Sequence, residues 1–369
     1  MRIASLVLVT LLVAFAVIAQ EPNTGYPPYG SFEDGRFDAV NRQNLNVNFA
    51  IPVVVSPGRG LDLAHSIVYD SLTWKKSGNV WAPVVDQTGA FSWGWKKEAV
   101  AGAIYYKKVT AKCFASGPPE TVWRFYDFAY VDQAGTRHSF PIDVYSAPTS
   151  CGFPTDPLEG DSTNGSGYQI EVGDIPQWPS IAPITVTVWS REGIRITSDG
   201  TMTDPNGNYT GPVTGGWKDT VGRIALIIDS SVSPYIDYKY LDSTGTYQVI
   251  RLTLSTFSIK TNFGCPGVTE YTGSGAVPTA ISLPNGRSYA IEYEDTPGFP
   301  GYKTGRVSKV TLPTGGFYQY SYPAPNNGIN CADGTVNKLT RVINDATSSA
   351  TWQFVRTQIM TCPPFLVQS

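Results

Sequence analysis

The sequence predicts an all-β protein of many short antiparallel strands joined as hairpins. Three observations carry that prediction. The 369 residues include 36 Gly and 28 Pro beside 21 Tyr, 16 Phe and 9 Trp, so turn formers are interleaved with enough apolar surface to build a core. Apolar side chains alternate with polar ones over short runs, as at Leu45, Val47 and Phe49, which is the period of a half-buried strand. Beyond the N-terminal apolar run, no segment shows a 3.6-residue apolar period.

In chain order, residues 1–19 read as a signal peptide. Arg2 precedes an apolar run from Leu6 to Ile18, and Val17 and Ala19 precede the expected cleavage. That run is shorter than the ~20 residues of a membrane-spanning helix, and no later stretch is apolar enough to span a bilayer. The expected location is therefore secreted, or on the extracellular side of the cell envelope. Residues 20–36 form a Pro/Gly-rich leader. Residues 37–175 form a sandwich-like β region: the alternation at Leu45–Phe49, the turn "SPGRG", then Leu61, Leu63, His65, Ile67 and Tyr69 on one face, then an aromatic stretch with Trp74, Trp81, Trp93 and Trp95. Residues 147–180 are rich in Pro, Gly, Ser and Asp and read as a long loop or boundary. A second β region is expected over 176–270, and hairpin repeats over 271–369.

The hairpins carry the clearest signal. "LPTG" at 312–315 has the pattern of a type I turn, and a left-handed Gly following it closes a three-residue hairpin with a bulge. Tyr318, Tyr320 and Tyr322 then share one face of the outgoing strand. "LPNGRSYAIEY" at 283–293 repeats the layout, and "DPNG" at 204–207 repeats the turn. A second device, "YVDQAGT" at 130–136, matches "YLDSTGT" at 240–246; "GRV" at 305–307 matches "GRI" at 222–224; "VSKV" from Val307 matches "LTRV" from Leu339. Repeats of hairpin length indicate strands stacked in sequence order. The glycine pair Gly315–Gly316 thus serves a turn, since a phosphate loop requires a following helix bearing Lys.

Together these motifs resemble the YD repeats of the Rhs family. The segment 40–71, "VNRQNLNVNFAIPVVVSPGRGLDLAHSIVYDS", is similar to the stretch leading into an Rhs shell, and "TNFGCPGVTEY" and "GINCADGT" fit the same group. The resemblance spans residues 37–356. It implies a spiral of β-hairpins forming a YD-repeat shell, with encapsulation or surface contact as its role. The partners it implies are the remainder of a longer Rhs-like chain or other shell segments. The tail "QIMTCPPFLVQS" departs from the repeat, so the chain reads as a segment of a longer product, with strand 352–356 left as an open edge.

Chemistry is sparse. A net charge of −3 with mixed signs offers no basic stripe for nucleic acid. None of the five Cys lies in a C-x-x-C pair and there are two His, so neither a metal nor a cofactor is expected. In an exported chain, disulfides are the default. Pairing Cys113 with Cys151 and Cys265 with Cys331 leaves Cys362 odd, and other connectivities stay open. No G-x-S-x-G accompanies His65 or His138, the nearest match being "NGSGY" at 164–168, so no catalytic residue is assigned. "DPNGN" lacks the Gly and closing Glu of a calcium loop. Glycoside hydrolysis needs two carboxylates, and among Asp127, Asp132, Asp237 and Asp242 nothing singles out a pair. The leading expectation is a non-enzymatic structural protein. The alternative is a carbohydrate-binding or adhesin-type module that meets surface glycans through Trp93 and Trp95, set against the reading in which these rings fill the core.

Overall fold

A computed structural model describes residues 24–84, 93–96, 100–113, 120–146, 158–323 and 325–356. The fold is all-β. The N-terminal part opens with β1 (Phe32–Asp34), β2 (Asp38–Asn41), β3 (Val47–Ser56) and β4 (Leu63–Asp70), which pair in order with β7 (Trp95–Lys96) at the far edge. Between them β5 (Trp74–Ser77) and β6 (Val80–Pro83) form a hairpin. A four-stranded sheet follows, in which β9 (Glu120–Val131) pairs with β8 (Ala103–Cys113) on one side and with β10 (Arg137–Phe140) and β11 (Val144–Tyr145) on the other.

From β12 (Glu159–Asp161) to β27 (Ser349–Val355), sixteen strands pair each with the next in a single antiparallel sheet, which runs unbroken through residues 176 and 271. This sheet coils on itself. β21 (Tyr247–Lys260), β22 (Thr272–Ser282), β23 (Ser288–Asp295) and β24 (Tyr302–Thr311) form a ring, because β24 also pairs in parallel with β21 at Ser258↔Tyr302. Register shifts at Thr253/Leu254 and Glu292/Tyr293 provide the curvature, as bulges increase local twist.

One turn builds most of this sheet. At Asp132, Ser190, Thr197, Asp204, Asp219, Asp242, Leu283 and Leu312 the first residue's N–H bonds the carbonyl four residues on, and the Gly three residues on bonds back to its carbonyl. Each such Gly has a left-handed φ, from 78° to 92°. The two sequence devices, "LPxG" and "DxxGT", are therefore the same turn, in which an Asp at the first position adds a carboxylate cap. The matched "GRI" and "GRV" differ: Gly222 belongs to this turn, whereas Gly305 lies inside β24 and Arg306 is buried.

The five-stranded sheet packs against the coil through aromatics. Phe49, Tyr69 and Trp95 form one contact group. Trp95 Nε1 donates to Tyr293 Oη at 2.7 Å, Trp74 Nε1 to the Thr304 carbonyl at 2.8 Å, and Val307 N to Tyr69 Oη at 2.9 Å. Burial of each large apolar side chain contributes roughly 1.5–3 kcal/mol, and these hydrogen bonds remove the penalty of burying polar tips. Cys265 and Cys331 form a disulfide with Cα atoms 5.5 Å apart, closing a 66-residue span. A loop of that length contributes about 4 kcal/mol in the chain-entropy account. Cys151, Cys362 and the Cys113 side chain lie outside the described residues, as does the segment 1–19 expected to be a signal peptide.

Two readings of segments as loop or solvent-facing differ from the structure. Residues 158–173, read as part of a long loop, form the hairpin of β12 and β13 (Gln169–Gly173), because Ile170 and Val172 alternate onto the core from within a polar, Gly-rich stretch. Asn46 and Asn48, read as the solvent side of the Leu45–Phe49 alternation, are buried. The leader reaches the β3–β4 pair: Gly25 N donates to the carboxylate of Asp70, the cross-strand neighbour of Asn48.

Candidate functional site

Trp93 and Trp95 do not share a strand face and are not available to a ligand; this corrects the stacking role considered for them. Trp95 opens β7 and points into the core, 2% exposed. Trp93 sits in the preceding turn with φ 69° and is equally buried. Its indole fills a slot over two strand glycines: a Cβ at Gly275 would collide with the ring nitrogen, and one at Gly305 would lie 2.8 Å from Cε3. Trp74 and Tyr271 complete the wall, with centroids 5.2 and 5.7 Å away. A sugar needs an open ring face, and here the glycines occupy it.

The four aspartates are spread apart. Asp132 and Asp242 each cap their own turn through Oδ1. Asp237 is held by Arg251 in a bidentate pair at 2.7 and 2.8 Å. The Asp204 carboxylate of "DPNGN" likewise accepts from Asn206 N and Asn208 N of its own turn. His65 lies in the core against Tyr238, and burial pushes its pKa down to about 4, so it is a neutral packing residue. His138 is buried between Tyr130 and Tyr168, with Nε2 3.1 Å from Asp132 Oδ2 and Nδ1 facing Asn164. It braces the 132–136 turn against the loop of "NGSGY", in which the Ser166 hydroxyl pairs with that of Ser162.

Asp127 is different. It lies in the middle of β9 with φ 56°, at a bulge where Asp127 and Phe128 face the single residue Tyr106. A left-handed backbone costs a non-glycine residue about 1 kcal/mol, less for Asp than for most. The distortion turns the carboxylate into a cleft of about 980 Å³ at the gap between β10 and β11. There Asp127 binds Lys107 at 2.6 Å and Arg137 at 2.9 Å. Asp143 on the same cleft binds Arg124 at 2.6 Å, which raises the Arg124 pKa further, and both Arg124 and Lys107 lie near the Tyr126 ring.

The opposite wall is the leader, at Pro27 and Pro28. Gly30 N bonds the Pro27 carbonyl, so Pro27–Gly30 is a turn whose third residue, Tyr29, has φ 63°. Pro at the second position and positive φ at the third define the type II form, which favours Gly at that third place. Tyr29 is 88% exposed and stands against Gly165, next to the cleft residue Asn164. Neither Tyr29 nor the role of Asp127 was legible as a site; "PPYG", with Tyr where such a turn wants Gly, is the one local signal that points there.

Comparison with protein-family models found no match, and comparison with curated proteins found none. Among the described residues, no group of three or more His, Cys, Asp or Glu is placed to hold a metal ion, and no helix is long and apolar enough to cross a membrane.

Proposed function

We propose that the protein is an exported, non-enzymatic structural segment that works by β-sheet association, in the manner of an Rhs-type shell. The observation that supports this reading is the asymmetry of the sixteen-stranded sheet. One edge, β12, is three residues long and carries Glu159 and Asp161, features that discourage further pairing. The other edge, β27, is seven residues long, SATWQFV, with no charge and no Pro, and among the described residues it pairs only with β26 (Lys338–Asn344). Trp352 and Phe354 face a groove of about 470 Å³ that a further strand would cover. The hairpin motifs that resemble YD repeats are those that generate this open-ended stacking.

Sedimentation velocity of the secreted product over a hundredfold concentration range tests the reading. Concentration-dependent association is expected, and Thr351→Lys with Gln353→Lys should abolish it by charging the edge. A monodisperse monomer at all concentrations would count against a shell role. Mass spectrometry of the secreted N-terminus should find Gln20 first if the leader is processed as expected.

A further inference from the structure

We propose that the cleft between the leader and the β8–β11 sheet is a binding site for a neutral oligosaccharide. The inference does not depend on the shell reading, since the cleft lies away from β27. Three features argue for a built site. Its volume, about 980 Å³, falls at the upper end of the ~300–1,000 Å³ usual for small-molecule sites. Two non-glycine residues with left-handed backbones mark it: Asp127 in its lining, and Tyr29, which follows the lining residue Pro28 and stands against Gly165. Such conformations persist where the surrounding structure holds them, and they cluster at ligand clamps. Tyr29 is also almost fully exposed, although a large ring ordinarily buries itself.

The chemistry of the lining selects the ligand class. Every charge in the lining is already met by its opposite: Lys107 and Arg137 by Asp127, and Asp143 by Arg124 from outside the lining. A phosphate or sulfate would have to displace these carboxylates, and a cation would meet the two basic groups Lys107 and Arg137. A sugar hydroxyl both donates and accepts, so it can give its proton to Asp127 or Asp143 while taking one from an arginine. Such charge-assisted bonds are about twice as strong as neutral ones. Tyr29, stiffened by Pro27 and Pro28, offers the flat apolar face on which a pyranose ring stacks, at small cost in side-chain entropy.

The test is calorimetric titration of the full chain with neutral hexasaccharides of glucose, xylose and N-acetylglucosamine, and with a sulfated hexasaccharide. At least one neutral probe is expected to bind, and the sulfated probe to bind at least tenfold more weakly. Asp127→Asn should weaken the neutral probe at least tenfold. Tyr29→Gly should weaken it similarly while raising the thermal midpoint, because Gly relieves the turn; a purely structural Tyr29 would not give that combination. Failure of every neutral probe, preference for the sulfated one, or binding indifferent to both substitutions would overturn the proposal.

Discussion

At the residue scale, the buried ionisable groups define the pH behaviour. His65 is neutral in the fold because burial lowers its pKa to about 4, against 6.5 for the free side chain. Its depressed pKa means that the unfolded state takes up the proton first as pH falls. The contribution of His65 is therefore complete above about pH 6.5 and is lost progressively toward pH 4. At 1.36 kcal/mol per pKa unit, the full loss is about 3 kcal/mol. Asp38 and Asp70 act in the opposite sense: burial raises their pKa values, so their protonation favours the fold as pH falls. Comparing urea midpoints of the wild type and His65→Phe between pH 7 and 4.5 isolates the histidine. The wild type should lose stability relative to the variant across that window, and parallel curves would refute the assignment.

At the element scale, glycine has two separate roles. In the turn, as at Gly245, φ is 80° and a Cβ would meet nothing within 4 Å. Gly245→Ala should therefore incur backbone strain alone, about 1–2 kcal/mol. Within β24, Gly305 has φ 84° and also receives Trp93, so Gly305→Ala adds a steric clash in the packed core. We expect a loss of about 3 kcal/mol or more, with a red shift of tryptophan emission that Gly245→Ala lacks. Chemical denaturation followed by fluorescence checks both. The turn glycines are legible because five residues suffice to form the hydrogen bonds. The strand glycines are legible only as anomalies, since the ring they accommodate arrives from 182 and 212 residues away in the chain.

At the scale of the whole molecule, a buried ion pair joins distant parts of the chain. Arg341 Nη1 lies 3.2 Å from Asp38 Oδ1 across 303 residues, and Tyr320 Oη donates to Asp38 Oδ2 at 3.0 Å. Both charges are almost fully buried, and the Arg341 guanidinium lies 4.8 Å from the Trp352 ring of the edge strand. Arg306 is held similarly, bidentate on Glu294 and 3.8 Å from the Tyr322 centroid. Removing one partner of such a pair leaves an uncompensated charge and costs about 3–5 kcal/mol, whereas replacing both by apolar groups is often neutral. Asp38→Leu and Arg341→Met should each lower stability by that amount. The double variant should recover at least half of the loss; full additivity in the denaturation midpoints would show that the two do not interact.

The sequence by itself determined the all-β class, the hairpin turns and the alternation of Tyr318, Tyr320 and Tyr322 onto the core, whereas the Cys265–Cys331 pairing, one of several open connectivities, was settled by the fold. Turns and alternation depend on residues within a few positions of one another, and local geometry decides them. Only the tertiary structure decided that Trp93 and Trp95 are interior, that Arg306 and Arg341 are buried cations and that Asn48 is buried. It also set Asp127 across one cleft from Pro27 and Pro28 of the leader. Each of these depends on which distant strand comes to lie across a face, and a period of two says only that a face exists. Strand patterning records which side is apolar, and the coil of the sixteen-stranded sheet decides what that side meets.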